Sequence, residues 1–109
     1  MEMLSKLEEL VLISVLKLGK DAYGTSIYNH IIGLTGWEVT VSNVYFPLER
    51  LMRKGFLLAV QGKPTPQRGG MAKRYYRITK SGLAVLRKNR ALNLAAWRGV
   101  AELIKRDEV

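Results

Sequence analysis

Cysteine is absent from this 109-residue sequence, and histidine occurs once, at His30. The lack of cysteine excludes a disulfide framework and a thiolate metal site, and one histidine cannot build a metal site alone. We therefore expect neither a metal nor any other cofactor. A chain without cysteine also fits a cytoplasmic protein.

Acidic residues are scarce, since nine Asp and Glu stand against 18 Lys and Arg and the net charge is +9. The imbalance is concentrated, because residues 49–90 contain twelve Lys and Arg but one acid, Glu49. A concentrated basic patch predicts a polyanionic partner. The few carboxylates form no paired acid–base motif and no Ser/His/Asp set is visible, so we do not expect an enzyme.

Long apolar runs are also lacking. The apolar N-terminal segment is interrupted by Lys6, Glu8, Glu9 and Lys17, and no cleavage signal follows it. Neither a membrane-spanning helix nor a signal peptide fits this pattern. We therefore expect no membrane partner.

Residues 57–79 contain two apolar or aromatic runs, Leu57–Val60 and Tyr75–Ile78, on either side of a polar segment with several Gly and Pro. This pattern predicts a β-hairpin with a long connection. No acid occurs in the segment, which is typical of the wing of a winged helix-turn-helix lying along nucleic-acid phosphates. A solvated surface hairpin with incidental charge is the alternative. We call this hairpin the wing, and its candidate phosphate contacts are Lys63, Arg68, Lys73 and Arg74.

Apolar residues at helical spacing predict three helices before the wing. The first spans Leu4–Leu18 and is apolar nearly all round, which predicts burial on several sides. The second spans Ala22–Leu34. The third begins near Thr40–Ser42, where hydroxyl side chains can cap it, and ends at Lys54.

The third helix has two different faces. We expect Val41, Val44, Leu48 and Leu51 to face inward and Pro47 to bend the helix. The residues left pointing outward are Ser42, Asn43, Phe46, Glu49, Arg50 and Arg53, with Tyr45 at the edge. Small polar residues at the start of such a helix can reach base edges in a major groove, which is typical of a recognition helix. An Asn there can bond an adenine edge in both directions. An ordinary solvated face has the same composition and is the alternative.

A final helix is predicted over Lys80–Arg106, and we expect Gly82 and Gly99 to weaken it without ending it. A domain of about eighty residues cannot cover the whole apolar face of so long a helix. A second copy of the chain would cover the rest, which predicts a homodimer. The expected fold is mainly α with a small β-hairpin. It divides into a winged helix-turn-helix domain, residues 1–79, and a dimerisation helix, residues 80–109.

Together these segments resemble the PadR family of transcriptional regulators over roughly residues 4–90. The matching pieces are LEELVLISVLKLG, AYGTSI, VSNVYFPLERLMRKGFL and PTPQRGGMAKRYYRIT followed by SGLAVL. The resemblance implies a dimeric winged-helix repressor that binds a pseudo-palindromic operator in double-stranded DNA. By position it assigns DNA contact to Ser42, Asn43 and Tyr45 in the third helix and to Arg68, Gly69, Gly70, Lys73 and Arg74 in the wing.

The resemblance has one departure and one extension. The family commonly has proline directly after the helix-three tyrosine, whereas Phe46 separates Tyr45 from Pro47 here. The short C-terminus resembles the small subfamily, in whose multidrug-sensing members a tryptophan stacks planar aromatic ligands between subunits. Trp97 falls at that place, so the resemblance implies an aromatic small-molecule effector. Plain packing of Trp97 in a dimer interface is the alternative.

Two other functions fit parts of the sequence. A winged-helix module for protein–protein assembly would have no affinity for DNA and no use for the basic wing. A basic helix on an anionic membrane, over Arg87–Arg106, is disfavoured because its charges cluster at its start. The patch spread over the third helix and the wing favours DNA binding.

Overall fold

The computed structural model describes residues 3–64 and 72–107, except for the side chains of 63, 64 and 72. Within these residues three helices precede an antiparallel hairpin and two helices follow it. A short 3₁₀ turn, Gly19–Asp21, joins the first two helices. The elements are α1 Lys6–Leu18, α2 Gly24–Thr35, α3 Val41–Arg53, β1 Leu57–Pro64, β2 Ala72–Ile78, α4 Lys80–Trp97 and α5 Val100–Asp107.

Helix α1 is the centre of the core. Its N-terminus is fixed by a capping box, in which the Glu8 N–H donates to Ser5 Oγ and the Ser5 N–H donates to Glu8 Oε1. The helix therefore begins at Lys6, two residues later than predicted. The buried apolar residues around it are Leu10, Val11, Leu12, Val15, Ala22, Ile27, Ile31, Val44, Leu48, Leu51, Leu57, Tyr76 and Val85.

Helix α2 is shorter at its start than predicted, because the residues before it pair with the wing. The Tyr76 N–H donates to the Ala22 carbonyl at 2.8 Å, and Tyr23 forms an antiparallel bridge with Tyr75. These extended contacts hold Tyr23 outside the helix, which begins at Gly24. Local periodicity carries no information about such distant pairing.

Helix α3 runs through Pro47, and its inner face is buried at Val44, Pro47, Leu48 and Leu51. The predicted inward position of Val41 is wrong, since its side chain is 67% exposed. The first turn of α3 extends past the edge of the core, as the exposed residues 40–43 show. Helical spacing from Val44 identifies the correct stripe but not where the core beneath it ends.

The wing is longer than the two predicted runs. Leu57 pairs with Ile78 and Gln61 with Arg74, and the register shifts between Gln61 and Pro64. Side chains alternate along β2, because Tyr76 is buried while Arg77 is exposed.

The predicted continuous C-terminal helix is wrong, since it is divided into α4 and α5. Arg98 leaves the helical conformation (φ −56°, ψ 120°), and Gly99 has φ 80°, the left-handed value at which glycine is favoured after a helix end. Only the first part of α4 packs on the core. Gly82 and Val85 are buried there, whereas residues 90–99 are all exposed. The predicted fold class, mainly α with a small β-hairpin, is confirmed.

Candidate nucleic-acid interface

The start of α3 carries an exposed polar and aromatic face. Ser42 and Asn43 are exposed in the first turn, and Tyr45 and Phe46 are 48% and 59% exposed in the next. The rings of Tyr45 and Phe46 meet edge to face with centroids 6.2 Å apart. The sequence predicts outward positions for Ser42, Asn43 and Phe46 and an edge position for Tyr45, and all four are exposed near the start of α3.

Thr40 and Asn43 form a capping box that begins this helix. The Asn43 N–H donates to Thr40 Oγ1 at 3.3 Å, and Asn43 Oδ1 accepts from the Thr40 N–H at 3.1 Å and from its hydroxyl at 2.9 Å. Such a box satisfies backbone N–H groups that the helix itself cannot pair. The exposed turn of α3 is therefore held by its own side chains rather than by burial.

Aromatic contacts join the wing to the start of α2. The rings of Tyr23 and Tyr75 are 5.8 Å apart at 76°, and Lys73 Nζ lies 3.9 Å from the centroid of the Tyr23 ring. An ammonium group over a tyrosine face is attracted by the ring quadrupole. This contact places the charge of Lys73 beside the helical domain.

Arg74 joins the wing to α3. Its Nη1 donates to Glu49 Oε1 at 3.1 Å, and its guanidinium carbon lies 5.6 Å from the centroid of the Tyr76 ring. Burial raises the pKa of the Tyr76 hydroxyl above its ordinary value of 10.0, although the nearby Arg74 charge opposes the rise. Since Glu49 is the one acid among residues 49–90, this ion pair involves the one carboxylate that the basic segment itself contains.

A buried carboxylate, Glu8, forms ion pairs at the other end of α3. Glu8 is 3% exposed, and its Oε2 lies 3.1 Å from Lys54 Nζ and 3.7 Å from Arg50 Nε. Burial raises the pKa of Glu8, but the hydrogen bond from the Ser5 N–H and the interaction with Lys54 lower it by more. The net result is that the pKa of Glu8 lies below its ordinary value of 4.5.

An apolar groove of about 600 Å³ lies between α1 and α4. Glu9 lies at its edge and accepts hydrogen bonds from Asn89 Nδ2, Asn93 Nδ2 and Lys6 Nζ. Trp97, at the end of α4, is 59% exposed. The apolar and aromatic lining consists of Ile13, Leu16, Leu83, Leu86, Leu94 and Trp97.

Residues 3–64 and 72–107 offer neither a metal site nor a membrane span. No group of three or more His, Asp and Glu side chains is placed there to hold a metal ion. Within the same ranges, no helix has both the length and the apolar character needed to cross a bilayer.

The sequence model of the transcriptional regulator PadR-like family matches residues 12–88, more than two-thirds of this chain. The chain belongs to the PadR-like family. The match covers most of α1, the two following helices, the wing and the first half of α4. Among curated proteins none matches this chain.

Solved structures share the fold of this PadR-like chain. A PadR-family transcription regulator from Clostridium difficile R20291 is 20% identical with a TM-score of 0.65, over 94% of this chain and 97% of its own. A PadR-family regulator from Eggerthella lenta DSM 2243 is 27% identical with a TM-score of 0.67, over 87% and 80%. A PadR-like regulator from Bacillus cereus ATCC 14579 is 20% identical with a TM-score of 0.66, over 92% and 88%.

The residues predicted to contact DNA fall in three structural settings within this PadR-like fold. Ser42, Asn43 and Tyr45 lie together at the start of α3, while Lys73 and Arg74 lie in β2. The ion pair between Arg74 and Glu49 joins the two groups. Lys63 lies in β1, but its side chain is not among those that the structure describes. Arg68, Gly69 and Gly70 lie outside the described residues. The predicted ligand residue, Trp97, lines the α1–α4 groove, whose lining includes none of the described candidate DNA contacts.

Two residues that shape this surface are not identified by the sequence patterns. Helical spacing predicts that Tyr23 belongs to the apolar stripe of the second helix. In the structure Tyr23 precedes α2, and its ring lies beneath the ammonium group of Lys73. The pattern of α3 predicts only that Glu49 points outward, whereas it pairs with Arg74, 25 residues away. The capping partner of Thr40 has a local signal, because an amide side chain three residues after a hydroxyl N-cap is typical of a capping box.

Proposed function

We propose that this PadR-like regulator is a dimeric, sequence-specific DNA-binding repressor. It would recognise a pseudo-palindromic operator through the start of α3 and the wing. The observation that carries the proposal is the ion pair between Arg74 and Glu49, at 3.1 Å, which links the basic wing to the helix whose start carries the exposed polar face. The two elements that would contact one duplex are therefore in direct contact with each other.

The two elements have different roles in this proposal. The start of α3 enters the major groove, where Ser42, Asn43 and Tyr45 face the base edges. The wing follows the phosphates, whose neutralisation supplies affinity without sequence preference. Arg74 acts mainly as a positioning residue, because Glu49 already neutralises its charge. The wing groups assigned to the DNA backbone are Lys63, Arg68, Gly69 and Lys73.

Dimerisation rests on the exposed apolar residues of the C-terminal helices. Residues 90–99 are exposed throughout, and so are 101–107. The large apolar residues among them are Leu92, Leu94, Trp97, Leu103 and Ile104. Exposed apolar residues this numerous mark an interaction surface, and a second copy is the partner that places two recognition helices on one operator. We accordingly assign DNA binding to residues 1–79 and dimerisation to residues 80–109.

Release from DNA is assigned to a planar aromatic effector at Trp97. Its indole is 59% exposed at the end of a groove with apolar walls, and Ala95, Ala96 and Gly99 leave space around it. A ligand bound between the Trp97 side chains of the two subunits can change the angle between the winged domains. That angle sets how well the dimer matches half-sites about 34–36 Å apart. By linkage, operator DNA would weaken ligand binding by the same factor.

The experiment that tests DNA recognition is selection of duplexes by the full chain from a random pool. Enrichment of a pseudo-palindrome, bound in preference to its scrambled version, is the expected result. The alternative, a protein–protein module, would enrich no sequence and bind no duplex. Such a result would overturn the proposed function.

The effector is tested separately by titration with a planar cationic dye. In the Trp37→Phe variant Trp97 is the one remaining tryptophan, so its emission reports on the groove. We expect quenching by the dye, reversal by operator DNA, and loss of dye binding in Trp97→Ala. Emission that stays unchanged up to about a millimolar dye would mean a dissociation constant above that concentration, and it would refute the role of Trp97.

A further inference from the structure

The side-chain amide of Asn43 has one end engaged and one end exposed. Its Oδ1 accepts two hydrogen bonds from Thr40, one from the backbone N–H at 3.1 Å and one from the hydroxyl at 2.9 Å. An amide oxygen has two lone pairs, so both are occupied. The Nδ2 group lies at the other end of the amide on an exposed residue.

The orientation of this amide follows from the chemistry of its partner. A backbone N–H can only donate a hydrogen bond, so the atom of Asn43 that faces the Thr40 N–H must be the oxygen. Turning the amide over would place two donors against each other. The exposed end is therefore the NH₂ group, which donates two hydrogen bonds and accepts none.

The sequence of α3 also gives a reason for the cap to persist. Pro47 has no N–H, so the Asn43 carbonyl lacks the hydrogen bond that it would otherwise receive four residues on. The first turn of α3 is exposed and loses this bond as well. The box between Thr40 and Asn43 is accordingly a larger part of what holds the turn in place.

We propose that Asn43 is a specificity-determining residue that presents only donors to the DNA and selects guanine. The inference rests on the proposed function, because it requires the start of α3 to lie in the major groove. The bidentate adenine contact expected from the sequence would need Oδ1, which Thr40 holds. Asn43 thus reads DNA as a donor rather than as the usual donor–acceptor pair.

Base-edge chemistry explains the choice of guanine. In the major groove guanine presents two adjacent acceptors, N7 and O6, which suit the two hydrogens of one NH₂ group. Adenine places a donor, its N6 amino group, beside N7, and cytosine presents only a donor there. Thymine offers a single acceptor, O4, beside its methyl group.

Three variants test this inference by duplex selection with the full chain. Asn43→Ala identifies the operator position that Asn43 reads, as the one position per half-site where preference is lost. Asn43→Asp keeps an oxygen for Thr40 but replaces the exposed NH₂ by a second oxygen. Thr40→Ser is the matched control, since it retains the capping hydroxyl.

The expected result is a wild-type preference for guanine over adenine at that position by about 5- to 150-fold. Asn43→Asp should move the preference toward cytosine, whose amino group a carboxylate accepts, and leave other positions unchanged. Its helix content and unfolding midpoint should match the wild type, because an acid is favourable in a first helical turn. Thr40→Ser should keep the guanine preference.

Two results would overturn this inference and leave the proposed function intact. They are an adenine preference at the Asn43 position, and a guanine preference that survives Asn43→Asp. Wild-type protein that enriches no sequence would overturn both the inference and the proposed function.

Discussion

Replacing Gly82 by alanine should destabilise the protein, although the same replacement within a helix normally stabilises it. Replacing glycine by alanine within a helix normally stabilises it by about 0.5–1 kcal/mol. At Gly82, however, a Cβ would overlap the Phe56 carbonyl oxygen and lie 2.7 Å from Ile78 Cγ1. The carbonyl cannot move away easily, because it accepts a 3.1 Å hydrogen bond from the Thr79 N–H. The methyl group would therefore force α4 away from the wing.

The expected magnitude follows from these two opposing effects. Overpacking a close contact costs about 1–3 kcal/mol, so Gly82→Ala should lower the free energy of unfolding by up to roughly 2.5 kcal/mol after the helix gain is subtracted. Gly33→Ala is the matched control. Gly33 is exposed in α2, and a methyl group added there would have nothing within 4 Å, so this change should raise the free energy by about 0.5–1 kcal/mol.

Guanidinium unfolding of both variants at one chain concentration measures the two effects, since dimerisation would otherwise shift the midpoints. In a domain near 100 residues, each kcal/mol also moves the melting temperature by roughly 4–8 °C. Opposite shifts of the two variants are expected. A Gly82→Ala protein at least as stable as the wild type would refute the close packing of α4 on the Phe56 carbonyl.

Three further predictions concern charge and assembly. The pKa of Glu8 lies below 4.5 in the folded protein, so its carboxylate contributes stability that is complete above 4.5 and lost as the pH falls through the folded value. Glu8→Gln should therefore flatten the acid side of a stability–pH profile, and parallel profiles would contradict this. The double variant Arg68→Ala and Lys73→Ala should reduce the slope of log binding constant against log salt concentration by up to about two, because each lost phosphate contact removes roughly 0.9. An unchanged slope would contradict this prediction. Leu94→Glu, at a residue 60% exposed in the chain alone, should shift sedimentation from dimer to monomer, and an unaltered dimer would remove Leu94 from the interface.

Much of the fold could be predicted because its signals are local. The periodic stripe Val44, Leu48 and Leu51 identifies the inner face of α3, and alternation in the wing places Tyr76 in the core. The hydroxyl of Thr40 marks the start of α3 from the sequence alone. In each case the pattern that identifies the feature spans only a few residues along the chain.

The errors arise where distant contacts or the edge of the core decide. Val41 continues the apolar spacing of α3, but its side chain is 67% exposed, because the first turn of the helix extends past the edge of the core. Glycine lowers helix propensity by only about 1 kcal/mol relative to alanine, so the presence of Gly99 does not show whether the helix ends there. Its positive φ lies beyond the part of α4 that packs on the core.

The candidate site was predictable in its residue types but not in its pairing. Local composition indicates that Lys73, Arg74 and Asn43 belong to a basic or polar surface. It cannot show that Arg74 is neutralised by Glu49 or that Lys73 lies over Tyr23, since these partners are distant in sequence. Asn43 differs from these two, because its partner Thr40 is only three residues away and the pair follows the local pattern of a capping box, of which the expected adenine contact takes no account.

The most direct test of operator recognition by two copies of this chain is the molar mass of the complex with a selected duplex. Sedimentation at fixed duplex concentration, with increasing full-length chain, measures how many chains each duplex binds. Saturation at two chains per pseudo-palindromic duplex is expected, with a scrambled duplex bound far more weakly at the same salt concentration. Saturation at one chain, or equal binding of selected and scrambled duplexes, would contradict recognition by a symmetric dimer.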